Sequence, residues 1–489
     1  MRRMVLFAAT CVVAGAQPRT VLLPGKSPLV DLRFAFLTGA ADDPPGKEGI
    51  ASLTASMLAR GGSRTLSFEQ ISQRFFPMAT QVSVQVDKHM TTFSAQTHID
   101  NLDAFYAILR DMLLDPGWRP EDLTRLRDDQ INALRTGIRG NNDEELGKEV
   151  LYNAIYAGHP YGHHNFGKVS SIGSITIEDM KAFRKARYTQ ANLILGLAGG
   201  YPPSFVKRVL ADFGKLPAGK AARPDVPTPK KIDGMSLTII DKPTRAAAIS
   251  FGFPIDVRRG HPDYAALLVA QSYFGQHRSS AGQMYQRIRE LRGLNYGDYA
   301  YLEYFPNGMF RFEPEPNLAR PQQIFQVWIR PLELPTAHFG LRLALHELER
   351  LVREGLSEEA FERTRGFLSK YVSLLVKTKS AELGYAIDSA YYGIPAYPAY
   401  VREGLARLTR DSVNRAIRKH LDTGNMHVVL VAPEAEKWKR RLLANEPSPM
   451  KYNAPKPDAV LEEDKTVEKR PIPLREDRVT IIPVDRVFE

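Results

Sequence analysis

Residues 30–62 read VDLRFAFLTGAADDPPGKEGIASLTASMLARGG. The first eleven alternate apolar and polar side chains, as a half-buried strand does, and a Pro/Gly-rich turn then leads into an amphipathic helix. The same order returns late in the chain, where AAAISFGFPIDV (246–257) precedes the helical PDYAALLVAQSYF (262–274). A second landmark also recurs. Thr176 and Asp179 form a helix start with capping-box spacing, and their helix passes Arg184 and Lys185 before the strand NLILGLA (192–198). Its counterpart runs from Thr409 and Ser412 through Arg418 and Lys419 to NMHVVLVA (425–432). An internal duplication follows, with two similar α+β domains at 17–217 and 235–450. The Pro- and Lys-rich AGKAARPDVPTPKKIDG (218–234) reads as the linker between them. Strands followed by long helices, such as 121–138 and 341–355, predict mainly antiparallel sheets covered by helices on one face.

With 489 residues, 43% hydrophobic and 25% charged, the chain can bury several cores. Its net charge of +11 is scattered among acidic residues and forms no basic tract, which argues against nucleic acid as a partner. The opening MRRMVLFAATCVVAGAQ has a basic start, an apolar run and an Ala14-Gly15-Ala16 cleavage pattern. It is expected to be a signal peptide, 1–16, which places the mature protein outside the cytoplasm, in the periplasm. The single cysteine, Cys11, lies inside it, so the mature chain has no disulfide and no thiol chemistry. Thr10 occupies the position where a lipid-anchor site wants Gly, Ala or Ser. No apolar run is long enough for a transmembrane span. The segment 451–489 carries both charge signs and five prolines, so it is expected as an extended C-terminal arm whose VTIIPV (479–484) pairs as an edge strand.

Three constellations are candidates for chemistry. GHPYGHHNFG offers His159, His163 and His164, but Pro160, Gly162 and Gly167 make it a surface turn and not the helix that would align imidazoles on a metal. His346-Glu347 opens what would be a zinc-protease helix if Arg350 were histidine. Leu341, Leu345, Leu348 and Val352 define that helix's buried face and leave His346 and Glu347 on the solvated one. In MYQRIRELRGLNYGDYAYLEY (284–304), a basic helix stops at Gly293 and turns into an aromatic strand, which brings Arg289 and Tyr296 to one corner. A guanidinium and a phenol there can both donate to one carbonyl oxygen, as oxyanion stabilisation requires. No phosphate loop or dinucleotide fingerprint is present.

The order of PPGKEGIASLTASML, GHPYG, ITIEDMKAFRKARYTQANLILGLAGG and QMYQRIRELRGLNY resembles the pitrilysin/insulinase family of zinc peptidases, the inverzincins, over about residues 21–432. The resemblance implies α+β domains paired into a half-shell, two of which close around a peptide chamber. It also explains the empty middle turn of the first helix. Catalytic members carry H-x-x-E-H there, with a further glutamate downstream. Those positions fall here on Ser52, Ala55, Ser56 and, downstream, Ala133, so no metal is expected in this chain. The Arg289/Tyr296 pair keeps the family spacing. By the resemblance this is the non-catalytic subunit of a two-chain peptidase, inactive alone. Zinc is then expected in a homologous H-x-x-E-H partner, with Arg289 and Tyr296 contacting the peptide substrate beside it. The alternative is an inert assembly or peptide-binding protein akin to core-like processing-peptidase subunits. An independent metalloenzyme built on His159, His163 and His164 is the third reading.

Overall fold

The computed structural model describes residues 18–220 and 226–489. The expected leader with Cys11 and the centre of the linker lie outside them. One sheet contains β1 (Arg19–Pro24), β2 (Leu29–Phe36), β3 (Val82–Val86), β4 (Thr91–His98) and β5 (Leu193–Gly199), in the order β1-β5-β2-β4-β3. The other contains β6 (Met235–Asp241), β7 (Ala246–Ile255), β8 (Asp298–Tyr301), β9 (Gln323–Glu333) and β10 (Met426–Ala432), in the order β6-β10-β7-β9-β8. Over these five strands the second order is the first repeated, down to the parallel contact of β1 with β5 and of β6 with β10. Both helix starts read from the sequence are capping boxes. Thr176 accepts from the Asp179 amide at 3.1 Å, and Thr409 from the Ser412 amide at 3.2 Å.

Each sheet is covered on both faces, not one. Val30, Leu32, Phe34 and Phe36 of β2 point outward into a core closed by the helices Ile50–Arg60, Leu102–Leu114 and Pro203–Phe213. The intervening Ala35 faces inward and packs with Leu383 and Ile387 of the helix Lys379–Tyr392, which belongs to the second half. The reverse exchange covers the second sheet. Leu146, Val150 and Leu151 of the helix Asp143–Ile155 pack with Ala248 of β7 and with Val429 and Val431 of β10. Close approach depends on glycine: a Cβ added at Gly196 of β5 would lie 2.8 Å from Ile387 Cδ1. Strands buried on both faces read as continuous apolar runs, which is how LILGLA of β5 and VVLVA of β10 are composed.

The halves also meet through a buried ion pair. The turn between β3 and β4 carries Asp87, whose carboxylate accepts from Arg320 Nε at 2.7 Å, and the guanidinium lies 3.7 Å from the Tyr304 ring centre. Together the sheets and their helices make a half-shell.

The C-terminal segment departs from a plain extended arm. It contains the helix Asp458–Val467, which buries Val460, Asp464 and Val467, and then β11 (Val479–Pro483), which pairs parallel with β6 at the sheet edge. Its last residues return to the first half, where the Val169 amide donates to the Phe488 carbonyl at 2.8 Å. Arg139 donates there to the Asp485 carbonyl at 2.9 Å and pairs with Glu489 at 2.8 Å. Apolar side chains among the charges give this segment a face to bury, and burial is what turns it helical.

Candidate functional site

The helix Ile50–Arg60 is buried along most of its length. Asp43 fixes its start, accepting from the Gly49 and Ala51 amides at 2.6 and 3.0 Å, amides that would otherwise lack helical partners. Burial pushes the Asp43 carboxyl pKa up, opposed by His163, whose Nε2 lies 3.2 Å away. The small residues of the middle turn are packed shut. The Ser52 hydroxyl donates to the Asn165 carbonyl at 2.6 Å, Ala55 is fully buried and Ser56 is half-buried. Ala133 begins a wide π-turn, Ala133–Gly140, on the wall of a cleft of about 770 Å³ that Val84, Asn165, Phe166, Phe310 and Glu315 also line. Zinc takes three or four nitrogen, sulfur or carboxylate ligands at about 2.0–2.3 Å. Two methyl groups, one hydroxyl engaged by a carbonyl and a second serine do not fit a zinc ion.

Arg289 sits in a second π-turn, Tyr285–Glu290, and the chain reverses at Gly293, whose φ of +70° suits glycine. Asn295 then pins the corner, donating to Asp298 at 2.7 Å and to the Arg330 carbonyl at 3.1 Å while accepting from the Gly297 amide at 3.1 Å. Burial pushes the Asp298 carboxyl up to about 8, so it is largely protonated at neutral pH. Arg289 and Tyr296 meet across this corner, the guanidinium 5.4 Å from the Tyr296 ring centre and 4.7 Å from that of Tyr285. Arg289 also donates to the Tyr285 hydroxyl. Tyr285, which the sequence reading passed over, thus completes a Tyr-Arg-Tyr stack. Its signal was the spacing of four to Arg289, the distance at which helical side chains are neighbours. Tyr296 is 76% exposed, and neither it nor Arg289 lines the cleft.

The histidine turn is not a surface feature throughout. His164 is buried, its Nε2 3.7 Å from Glu149 and its ring 5.5 Å from that of Phe488. Burial drives its pKa down to about 3, so the ring is neutral. His159 instead bonds the Pro227 carbonyl at 2.7 Å, and His163 bonds Asp43. The three imidazoles are held by separate partners. Glu347 is likewise not on a solvated face: it is 1% exposed, accepting from Arg287 Nε at 2.8 Å and pairing with Arg350 at 2.7 Å. One charge that allows its burial comes from the next turn of the same helix and the other, Arg287, from a segment distant in sequence.

Among the described residues, two groups bring three potential metal-ligating atoms within 4.8 Å of one another: His261, Asp263 and His420, and His346, Glu347 and Glu463. In the first, the donors satisfy each other. The Asp263 amide donates to His261 Nδ1 at 3.0 Å, and the Asp263 carboxylate takes Lys419 and His420 at 2.8 and 2.7 Å. In the second, arginines hold both carboxylates.

Residues 24–168 match the family model described as Insulinase (Peptidase family M16), and residues 174–368 match that described as Peptidase M16 inactive domain. An uncharacterized zinc protease of Bacillus subtilis is 26% identical over 54% of this chain, an alignment that spans 62% of the Bacillus protein. One of Mycobacterium tuberculosis is 22% identical over 82% of this chain and 87% of its own length. Among solved structures, a peptidase M16 inactive domain from Pseudomonas fluorescens superposes with a TM-score of 0.74 at 21% identity, covering 86% of this chain and 96% of that one. The periplasmic protease PqqL of Escherichia coli gives 0.67 at 15% identity, covering 94% of this chain but 50% of that one, and its first half alone is covered to 96%.

Proposed function

Because the chain belongs to the insulinase family of peptidases, family M16, we propose that it is a non-catalytic subunit that completes a two-chain zinc peptidase. The observation that carries this is a contrast within one chain. The residues at the metal-binding positions cannot ligate a metal, with Ser52 and Ala55 packed into the core, while the Arg289/Tyr296 corner stays exposed and internally aligned. A corner that is exposed and does not line the cleft of its own chain is free to serve a substrate held against another chain. The likeness to one half of a protease twice as long supports the same reading: this subunit is half of a closed chamber, and a homologous H-x-x-E-H subunit is the other half.

In that complex Arg289 and Tyr296 donate hydrogen bonds to the scissile carbonyl oxygen and stabilise the charge that develops on it. The partner supplies the metal and the activated water. The peptide lies in the chamber between the subunits. The basic leader and the periplasmic relative support an exported, periplasmic location, and no helix among the described residues is long and apolar enough to cross a membrane.

The test is reconstitution. The single chain should carry no stoichiometric zinc and cleave no peptide, and mixing it with the zinc subunit from the same source should produce a complex that does. Cleavage by the chain alone, or one tightly held zinc per chain, would overturn the proposal. A complex whose activity ignores changes at Arg289 and Tyr296 would hand the lead to the assembly-only reading.

A further inference from the structure

The Arg289 turn is basic on both flanks, and two of its three counter-charges, Glu463 and Asp464, come from the C-terminal arm, beyond the residues matched by either family model. Arg292, whose side chain is fully buried, donates from Nε to Asp464 at 2.9 Å and from Nη2 to Glu463 at 2.6 Å. Arg287 reaches the same Glu463 with one nitrogen and Glu347 with another. Arg350 pairs with Glu347 at 2.7 Å and lies 3.7 Å from Glu463. Three arginines thus share three carboxylates, and Arg292 also caps its own turn by donating to the Arg287 carbonyl at 3.0 Å.

The geometry points to Glu463 and Asp464 as positioning residues that set the direction of Arg289 and Tyr296. A π-turn carries one more residue than an α-turn, and this one is followed by a glycine reversal, so backbone hydrogen bonds alone define its orientation weakly. Arg287 lies two residues before Arg289, and Arg292 lies between Arg289 and Tyr296. Anchoring both to one short helix fixes the segment that carries the pair. Removing the carboxylates leaves a buried guanidinium without its counter-charge, the costly half of a broken ion pair, and the turn must shift to hydrate it. Burial works against the Glu463 carboxylate, but Arg292 and Arg287 outweigh it and hold its pKa below the ordinary 4.5, so Glu463 is ionised at neutral pH.

This inference rests on the reading of the Arg289/Tyr296 pair given above, and two readouts separate them. In the reconstituted complex, Glu463→Gln with Asp464→Asn should lower kcat at least tenfold while KM stays within about twofold, since the pair acts on the transition state. Glu463→Asp, which keeps the charge, should retain most of the activity. In the isolated chain, amide hydrogen exchange over 285–298 should speed up in the double variant and stay slow in Glu463→Asp. If the double variant does not fold, Glu463→Gln alone, at a partly exposed position, replaces it in both measurements. Unchanged exchange in a folded variant overturns the brace, as does wild-type kcat in the complex when Tyr296→Phe slows the same reaction. If Tyr296→Phe changes nothing, the catalytic reading of the pair falls, and exchange alone decides the brace.

Discussion

A phenol that is three-quarters exposed adds little to the stability of a fold, so Tyr296→Phe separates chemistry from folding. The denaturation midpoint should not move, while turnover of the reconstituted complex should fall on the order of 10²-fold, the usual cost of one oxyanion donor. Arg289→Ala should cost more, because it removes a charge and a forked donor together. Ser52→Ala is the reciprocal case. It leaves the Asn165 carbonyl without its 2.6 Å donor inside the packed slot and should lower stability by about 1–3 kcal/mol in urea denaturation, with no change in the activity of the complex. The corner at which Arg289 and Tyr296 meet was legible because their spacing and the glycine stop lie within one short stretch. Glu347 was not, because helical periodicity marks an acidic residue as solvated and cannot see Arg287 arriving from elsewhere. His164 escaped for the same reason: glycines and a proline identify a turn, but not what covers it.

At the scale of elements, the duplication followed from two repeated landmarks, and both capping boxes formed where spacing put them. The exchanged helices did not. Nothing in an amphipathic helix names the sheet that it covers, although the unbroken apolar runs of β5 and β10 already implied that both faces of those strands are buried. The arm's helix was obscured by its prolines, which break the pattern on either side of a ten-residue segment. The exchange makes a prediction about cooperativity. Leu383→Ala opens a gap in the core formed with Ile194 and Ala198 of β5 and should cost about 2–5 kcal/mol. Although Leu383 belongs to the second half, Trp118 in the first should report the same lowered urea midpoint as far-UV circular dichroism, because neither half keeps a covered sheet without the other. A separate, unshifted Trp118 transition would show that the first half is stable alone.

For the molecule as a whole, buried histidines weaken the fold in acid. Burial drives His164 and His338 down to about 3 and His277 down to about 4, each from 6.5. A histidine held neutral in the fold binds its proton more readily when unfolded. Its contribution is therefore complete above pH 6.5 and is lost as pH falls toward the folded value. Buried carboxyls with raised pKa, such as Asp298, act the other way, so the clean test is the difference: between pH 6.5 and pH 4 the melting temperature of His164→Gln should fall less than that of the parent chain. The Asp87–Arg320 pair is a second control point for the whole assembly, since it joins a turn of the first sheet to the chain of the second. Asp87→Asn strands a buried guanidinium and should cost about 3–5 kcal/mol, read as a lower melting temperature.

The exchanged helices also impose a schedule on synthesis. Residue 199 completes the fifth strand of the first sheet, but the helix that shields its inner face ends only at residue 392. At roughly 5–20 residues per second, the ribosome leaves that greasy surface bare for about 10–40 seconds. A nascent chain in that interval has strands ready to stick and nothing of its own to cover them, so it depends on whatever holds it unfolded until the second half emerges.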